Sequence, residues 1–316
     1  MKNFFLFFML IIANSAFGQK KKCLLILVDG IPIDVLQKTA TPHIDKIASM
    51  GSFAKAFVGG EQGGESESPT ISAVGYNSML TGTWANKHNV WGNSIKAPNY
   101  TYTSIFQVAR ASNNEAKLAI YSTWEDNRTK LLGENLPETN NLMLDIAFDG
   151  YENDTNSFPH DANREYIKNI DQLVVREAST SILKNGPDLS WVYLEYTDDM
   201  GHKYGDSPQM TAAVELVDEQ IGKLYKAVQK REKKYKEEWL FIVTTDHGRD
   251  LKTGKNHGGQ SERERTIWIL SNQKQVNDRF QNGLAIVDIF PSVVQFMNFE
   301  LTKEVASNLD GKSFLK

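Results

Sequence analysis

The sequence predicts an α/β fold, with a mainly parallel central sheet and helices on both faces. Three observations lead there. Several short runs, such as Leu24–Val28 and Leu240–Thr245, are apolar almost throughout rather than at alternate positions, as in strands covered on both sides. Segments with helical spacing of apolar residues lie between those runs, the pattern of strand–helix–strand units. Three of the runs are closely followed by an aspartate: Asp29, Asp198 and Asp246. In an open α/β sheet the carboxyl ends of the strands are where ligands sit.

Taken in order, the chain begins with Lys2, an apolar stretch Phe4–Ala13 and the small-residue site Ala16-Phe17-Gly18. That stretch is too short to span a bilayer as a helix. It reads as a secretory signal peptide over residues 1–18, cut before Gln19, so the mature chain is expected to be secreted or periplasmic, with no membrane span. Residues 19–316 are expected to form one domain. Cys23 is the single cysteine, so no intrachain disulfide forms, and it reads as an apolar residue opening the first strand, Lys22–Val28. Asp29-Gly30 follows.

Thr41-Pro42 opens a helix carried by Ile44, Ile47 and Ala48 and stopped by Gly51. Pro69–Gly82 begins with turn residues and continues as a helix. Ala116–Tyr121 is a strand. Glu125–Pro159 is polar and irregular, either a surface excursion or a loop or small cap over the site. Asp161–Lys184 is an amphipathic helix with Ile167, Ile170, Leu173, Val174 and Ala178 inward, ended by Gly186-Pro187. Ser190–Tyr196 is a strand, Met210–Lys230 a second long helix, and Leu240–Thr245 and Thr266–Leu270 are further strands.

The chain has 316 residues, 41% of them hydrophobic, enough for one medium-large domain with a sizeable core. A net charge of -4 gives no reason to expect nucleic acid or an anionic membrane as partner.

Three carboxylates gathered on one edge repel one another, and a cation between them is the natural solution. Histidines extend the set. Asp198 and His202 are four apart with Gly201 just before the histidine, Asp246 and His247 are adjacent, and His257 lies in Asn256-His257-Gly258-Gly259. Mixed carboxylate and imidazole donors suit zinc, sometimes manganese or iron. His43, His88 and His160 read as surface or packing residues. A nucleophile is available near the start of the helix after Pro69, where Thr70 or Ser72 sits close to backbone N–H groups that favour an anion. Either hydroxyl also makes an ordinary helix cap.

These elements together resemble the alkaline phosphatase superfamily, and most closely its type I phosphodiesterase / nucleotide pyrophosphatase branch. The matching segments run in order over nearly the whole mature chain: LVDG, TPHIDKIASMG, SMLTGTWANKHNVWGN, YTDDMGHKYGDSP, VTTDHG, NHGG and the closing VDIFPSVVQFM with DGKSF. The resemblance implies an alkaline-phosphatase-like fold without a large cap domain and two divalent metal ions, most simply zinc. Asp29, the nucleophile, Asp246 and His247 would hold one ion, and Asp198, His202 and His257 the other. Counting nine residues back from Thr81 of the Leu-Thr-Gly motif makes Ser72 the nucleophile, where the branch usually carries threonine, with Thr70 as runner-up. Asn93 matches an asparagine that donates to a phosphoryl oxygen. Tyr193 and Trp124 match substrate-pocket positions.

The implied activity is hydrolysis of a small phosphate ester, possibly a nucleotide, through a phosphoseryl intermediate. A phosphomonoesterase needs extra cations near the phosphate, for which Arg128 and Lys130 are the candidates. A sulfatase needs Cys or Ser in a C/S-x-P-x-R setting, and Ser72-Ala73-Val74-Gly75-Tyr76 has neither the proline nor the arginine. A surface binding module without catalysis is the remaining alternative.

Overall fold

The computed structural model describes residues 19–316, so the expected signal peptide lies outside the described residues. Seven strands form one sheet: β1 (Lys21–Val28), β2 (Ser52–Phe57), β3 (Leu118–Ser122), β4 (Ile146–Phe148), β5 (Leu189–Leu194), β6 (Glu238–Thr244) and β7 (Thr266–Ser271). Their order across the sheet is β2-β7-β6-β1-β5-β3-β4. From β6 to β4 every neighbouring pair is parallel. β7 runs antiparallel to both β6 and β2. The α/β class, the mainly parallel sheet and, among the described residues, the absence of a separate cap domain agree with the expectation.

β1 sits at the centre, and its residues alternate between two cores. Cys23, Leu25 and Leu27 pack with α1 (Ser72–Thr81), α2 (Ile105–Ser112) and α3 (Ile289–Met297). Leu24, Ile26 and Val28 face the other side, against α4 (Glu165–Lys184) and α5 (Pro208–Tyr235). Helices on both faces explain why the central strands carry no polar alternation. A shorter helix, Pro42–Met50, packs Ile44 and Ile47 into the second core.

Three features were not legible beforehand. β2 is an edge strand with a half-exposed, weakly patterned sequence. β4 arises inside the polar Glu125–Pro159 segment, three residues pairing with Ala119–Tyr121. That segment is thereby partly built into the sheet rather than standing wholly apart from it. Finally, β7 returns antiparallel directly after β6. No long crossover helix intervenes, so residues 245–265 stay on the carboxyl edge of the sheet, where Asp246, His247 and His257 are needed.

At the opposite edge, buried Lys22 donates to Asp188 Oδ1 at 2.8 Å and to the Gly186 carbonyl, and lies 3.8 Å from Glu237 Oε1. Glu237 is in turn held by Arg231. No described helix is long and apolar enough to cross a membrane.

Candidate active site

Asp29 is the first residue beyond β1, and its two oxygens have different surroundings. Oδ2 accepts hydrogen bonds from Tyr193, at 2.7 Å, and from Tyr76. Oδ1 is buried and has no hydrogen-bond partner. Asp246, just past β6, is similar: Oδ1 accepts from Gly30 N at 3.1 Å, while Oδ2 is buried and unpartnered. His247 Nε2 lies 3.3 Å from each unpartnered oxygen. Its Nδ1 faces the Gly248 carbonyl at 2.9 Å, which leaves Nε2 pointing into the cluster.

The second group stands beside the first. The helix Tyr196–Tyr204 places Asp198 and His202 one turn apart, with Oδ2 of Asp198 3.2 Å from His202 Nε2. His257 Nε2 is 3.1 Å from His202 Nε2, and its Nδ1 is 2.9 Å from the Thr70 carbonyl. Asp198 Oδ1 is 3.9 Å from both His247 Nε2 and His257 Nε2. Two sets of donor atoms, Asp29–Asp246–His247 and Asp198–His247–His257, each lie within 4.8 Å of one another. Buried carboxylate oxygens without a donor, set against imidazole nitrogens, fit divalent metal ions. His247 lies within reach of both groups, whereas the sequence reading gave it to the first alone.

The electrostatics reflect this crowding. Burial and the neighbouring Asp29 push the Asp246 carboxyl well above the usual carboxylate range. Burial alone would lower the His247 imidazole, but Asp246, Asp29 and Asp198 outweigh it and hold its pKa up to about 9. His257 is pushed down to about 4 by burial and by the charge of His247. Asp198 behaves oppositely to Asp246. Burial pulls it upward, yet Arg249 and His202 hold it well below the usual range.

Ser72 opens α1, with its Oγ 3.4 Å from His247 Nε2. Thr70, the runner-up, is fully buried. Its hydroxyl donates to the Gly259 carbonyl and accepts from Gly258 N, both at 2.9 Å, and its carbonyl orients His257. Asn93 Oδ1 accepts from Ala73 N at 3.0 Å, which ties Asn93 to the start of α1 and leaves its Nδ2 free to donate.

A cavity of about 240 Å³ opens in front of Ser72, lined also by Asn93, Trp124, Tyr193, Tyr76 and Glu195. Tyr193 is nearly buried and its hydroxyl is engaged with Asp29, so it borders the cavity with its ring. Burial and Asp29 push the phenols of Tyr76 and Tyr193 well above their ordinary value, keeping both as donors.

The structure thus brings Asp29, Ser72, Asp198, His202, Asp246, His247 and His257 to one place, with Asn93, Trp124 and Tyr193 around the cavity. His88 packs beneath α1, its Nε2 3.0 Å from Ser78 Oγ, and His160 stacks on Tyr166. Sequence reasoning missed three residues. Tyr76 follows Ser72 by one helical turn, a spacing that could have revealed it. Glu195 is the first residue beyond β5, three before Asp198. Arg249 comes two residues after His247, and nothing in its spacing distinguishes it from a surface arginine.

Comparison with known proteins agrees with this arrangement. Human ectonucleotide pyrophosphatase/phosphodiesterase family member 7 is 22% identical over 240 residues, 73% of this chain and 48% of that protein. The chain therefore spans about half the length of that curated relative. Murine ectonucleotide pyrophosphatase/phosphodiesterase 5, solved as an inactive form with AMP, superposes with a TM-score of 0.63 at 15% identity, covering 89% of this chain and 96% of that one. The protein Ps i-CgsB, solved with k-i-k-neocarrahexaose, superposes with a TM-score of 0.65 at 17% identity, over 94% and 76% of the two chains. At these identities the two structures speak for the fold. The family model for type I phosphodiesterase / nucleotide pyrophosphatase matches residues 23–258, from the first strand to the glycine after the last histidine of the site, and the chain belongs to that family.

Proposed function

We propose that this is an exported two-metal phosphoesterase that cleaves phosphodiesters through Ser72. The observation that carries the reading is the position of the Ser72 hydroxyl. It stands at the head of a helix, 3.4 Å from His247 Nε2, and borders the same cavity as Asp29 and Asp198.

Asp29, Asp246 and His247, with Ser72, would hold one ion, and Asp198, His202 and His257 the other, with zinc favoured by the donor set. Such a pair of ions lowers the pKa of a hydroxyl and neutralises charge on a phosphoryl group. Ser72 Oγ forms a bond to phosphorus in line with the departing alcohol, whose P–O bond breaks. Water then cleaves the phosphoseryl ester and restores the serine. Asn93 Nδ2 donates to a non-bridging oxygen, and Tyr76 and Tyr193 fix Asp29 with Oδ1 inward.

The choice of diester rests on the missing cation. Among the described residues no lysine or arginine lines the cavity, and Glu195 does. The two candidates for binding a dianionic monoester are engaged elsewhere: Arg128 pairs with Asp149, Glu134 and Glu125, and Lys130 pairs with Asp126 at 2.7 Å. The test compares kcat/KM on matched aryl diester and monoester substrates. The diester should be preferred, and a large monoester preference overturns the choice. Ser72→Ala should abolish turnover, by a factor of at least about 10³, while bound metal persists. Undiminished turnover in that variant would rule out Ser72 as the nucleophile.

A further inference from the structure

Arg249 is 1% exposed, yet it forms no part of the cavity lining. Its guanidinium is shared among three of the segments that carry metal-ligand candidates. Nε donates to the Gly30 carbonyl at 3.1 Å, next to Asp29. Nη1 donates to the Lys255 carbonyl at 3.0 Å, two residues before His257. Nη2 donates to the Asp198 carbonyl at 2.8 Å and to Asp198 Oδ1. A buried guanidinium needs such a set of acceptors, and its planar fork fixes their relative positions, which a lysine could not do.

The surrounding backbone is shaped to admit it. A Cβ at Gly201 would lie 2.1 Å from Arg249 Nε, and a Cβ at Gly30 would lie 2.8 Å from Nη2 and 2.6 Å from Asp198 Oδ1. The glycine of the Asp-x-x-Gly-His segment therefore has a physical reason here: Arg249 occupies the space its side chain would take. The charge also matters. Asp29 and Asp246 face only His247 across the first group, whereas Asp198 already carries a fixed cation on Oδ1. Asp198 is left with Oδ2 turned towards His202.

We propose that Arg249 is the positioning residue of the open half of the site. It turns a single oxygen of Asp198 towards His202 and locks the His257 segment against it, and so assembles Asp198–His202–His257. With one carboxylate against the two of the buried group, that set is the weaker, more readily exchanged of two unequal cation sites. This rests on the two-metal reading above. Nothing in it requires Arg249 to touch substrate.

The test is a zinc titration of the whole protein by calorimetry, on wild type, Arg249→Lys and Arg249→Met, with circular dichroism to check folding. His202→Ala identifies which binding step belongs to the open half. Wild type should bind two zinc ions in two resolved steps, the His202-dependent step being the weaker. Both Arg249 variants should keep the tight step and weaken the other by about 10–100-fold, the usual cost of removing a residue that orients a metal ligand. Excess zinc should then restore hydrolysis. Equal loss from both steps would mean that Arg249 merely stabilises the fold and overturns the proposal, as would two unchanged steps or a wild type that binds a single ion. If Arg249→Met does not fold, Arg249→Lys, which keeps the charge and loses the fork, decides alone. A wild type that binds two ions but hydrolyses neither ester removes the proposed function, and the titration still decides the role of Arg249.

Discussion

At the amino end of β1, Lys22 is buried among Asp188, Glu237 and the Gly186 carbonyl, and Arg231 completes the cluster. At the carboxyl end of the same strand, Asp29 Oδ1 and Asp246 Oδ2 are equally buried and have no donor at all. One sheet therefore carries two groups of buried charges under opposite rules. In the first, every acid has a cation that the chain supplies, and the cost of desolvation is offset within the fold. In the second, two buried acids share one imidazole, His247, an imbalance that fits a bound cation. Buried charge that is closed on itself is architecture, and buried charge that is left open is a binding site.

That contrast can be broken at either end, and the largest effect is expected at the closed one. Burial already pulls the Lys22 ammonium below the usual lysine range. Lys22→Met removes the buried cation from Asp188, and should cost about 3 kcal/mol in a denaturant melt, the lower end of the range for breaking a buried pair, because Lys20 still reaches Asp188 at 2.9 Å and Arg231 still holds Glu237. Zinc should not rescue it. A cost near zero would mean that the two ends do not differ in kind.

The open end should respond to the ligand instead. Zinc at 100 times its dissociation constant should stabilise the wild type by about 2.7 kcal/mol. Asp246→Asn keeps an oxygen to accept from Gly30 N and removes one of the two acids crowded against His247. That variant should be about 1 kcal/mol more stable than wild type without metal, and should lose most of the zinc-dependent gain. A metal-free variant less stable than wild type would show that the open carboxylates already find enough compensation in His247.

Acid titration sharpens the comparison only after a third buried group is accounted for. Burial lowers the His88 pKa from 6.5 to about 3. A depressed histidine stabilises the fold fully above the unfolded value and loses that contribution as pH falls from 6.5 towards 3. By pH 5.5 the loss is about 1.4 kcal/mol. His88→Gln should flatten the stability profile between about pH 6.5 and 5.5 by that amount, and what remains of the slope belongs to the groups of the site, His257 among them. An unchanged profile would mean that His88 is already protonated when folded.

Much of this was legible in the sequence because the signals are local. Unbroken apolar runs identify strands covered on both faces, and an aspartate closely following three of them points to one edge. The spacing of Asp198 and His202 needs only a helical turn to bring the side chains together. Ser72 could be chosen by its register to Thr81, but what distinguishes it from Thr70 in space, one hydroxyl facing His247 and the other bonded to Gly258 and Gly259, depends on a chain segment nearly two hundred residues away.

The sequence by itself determined the fold class, the family pattern and the candidate residues that the fold gathers at one edge, since these follow from local pattern and short spacing. The tertiary structure alone decided the return direction of β7, the position of His247 between two groups, and the burial of Arg249 against Gly30 and Gly201. Each of these is a meeting of segments far apart in the chain. Which buried charges meet a partner is set by packing, and no local pattern carries that information.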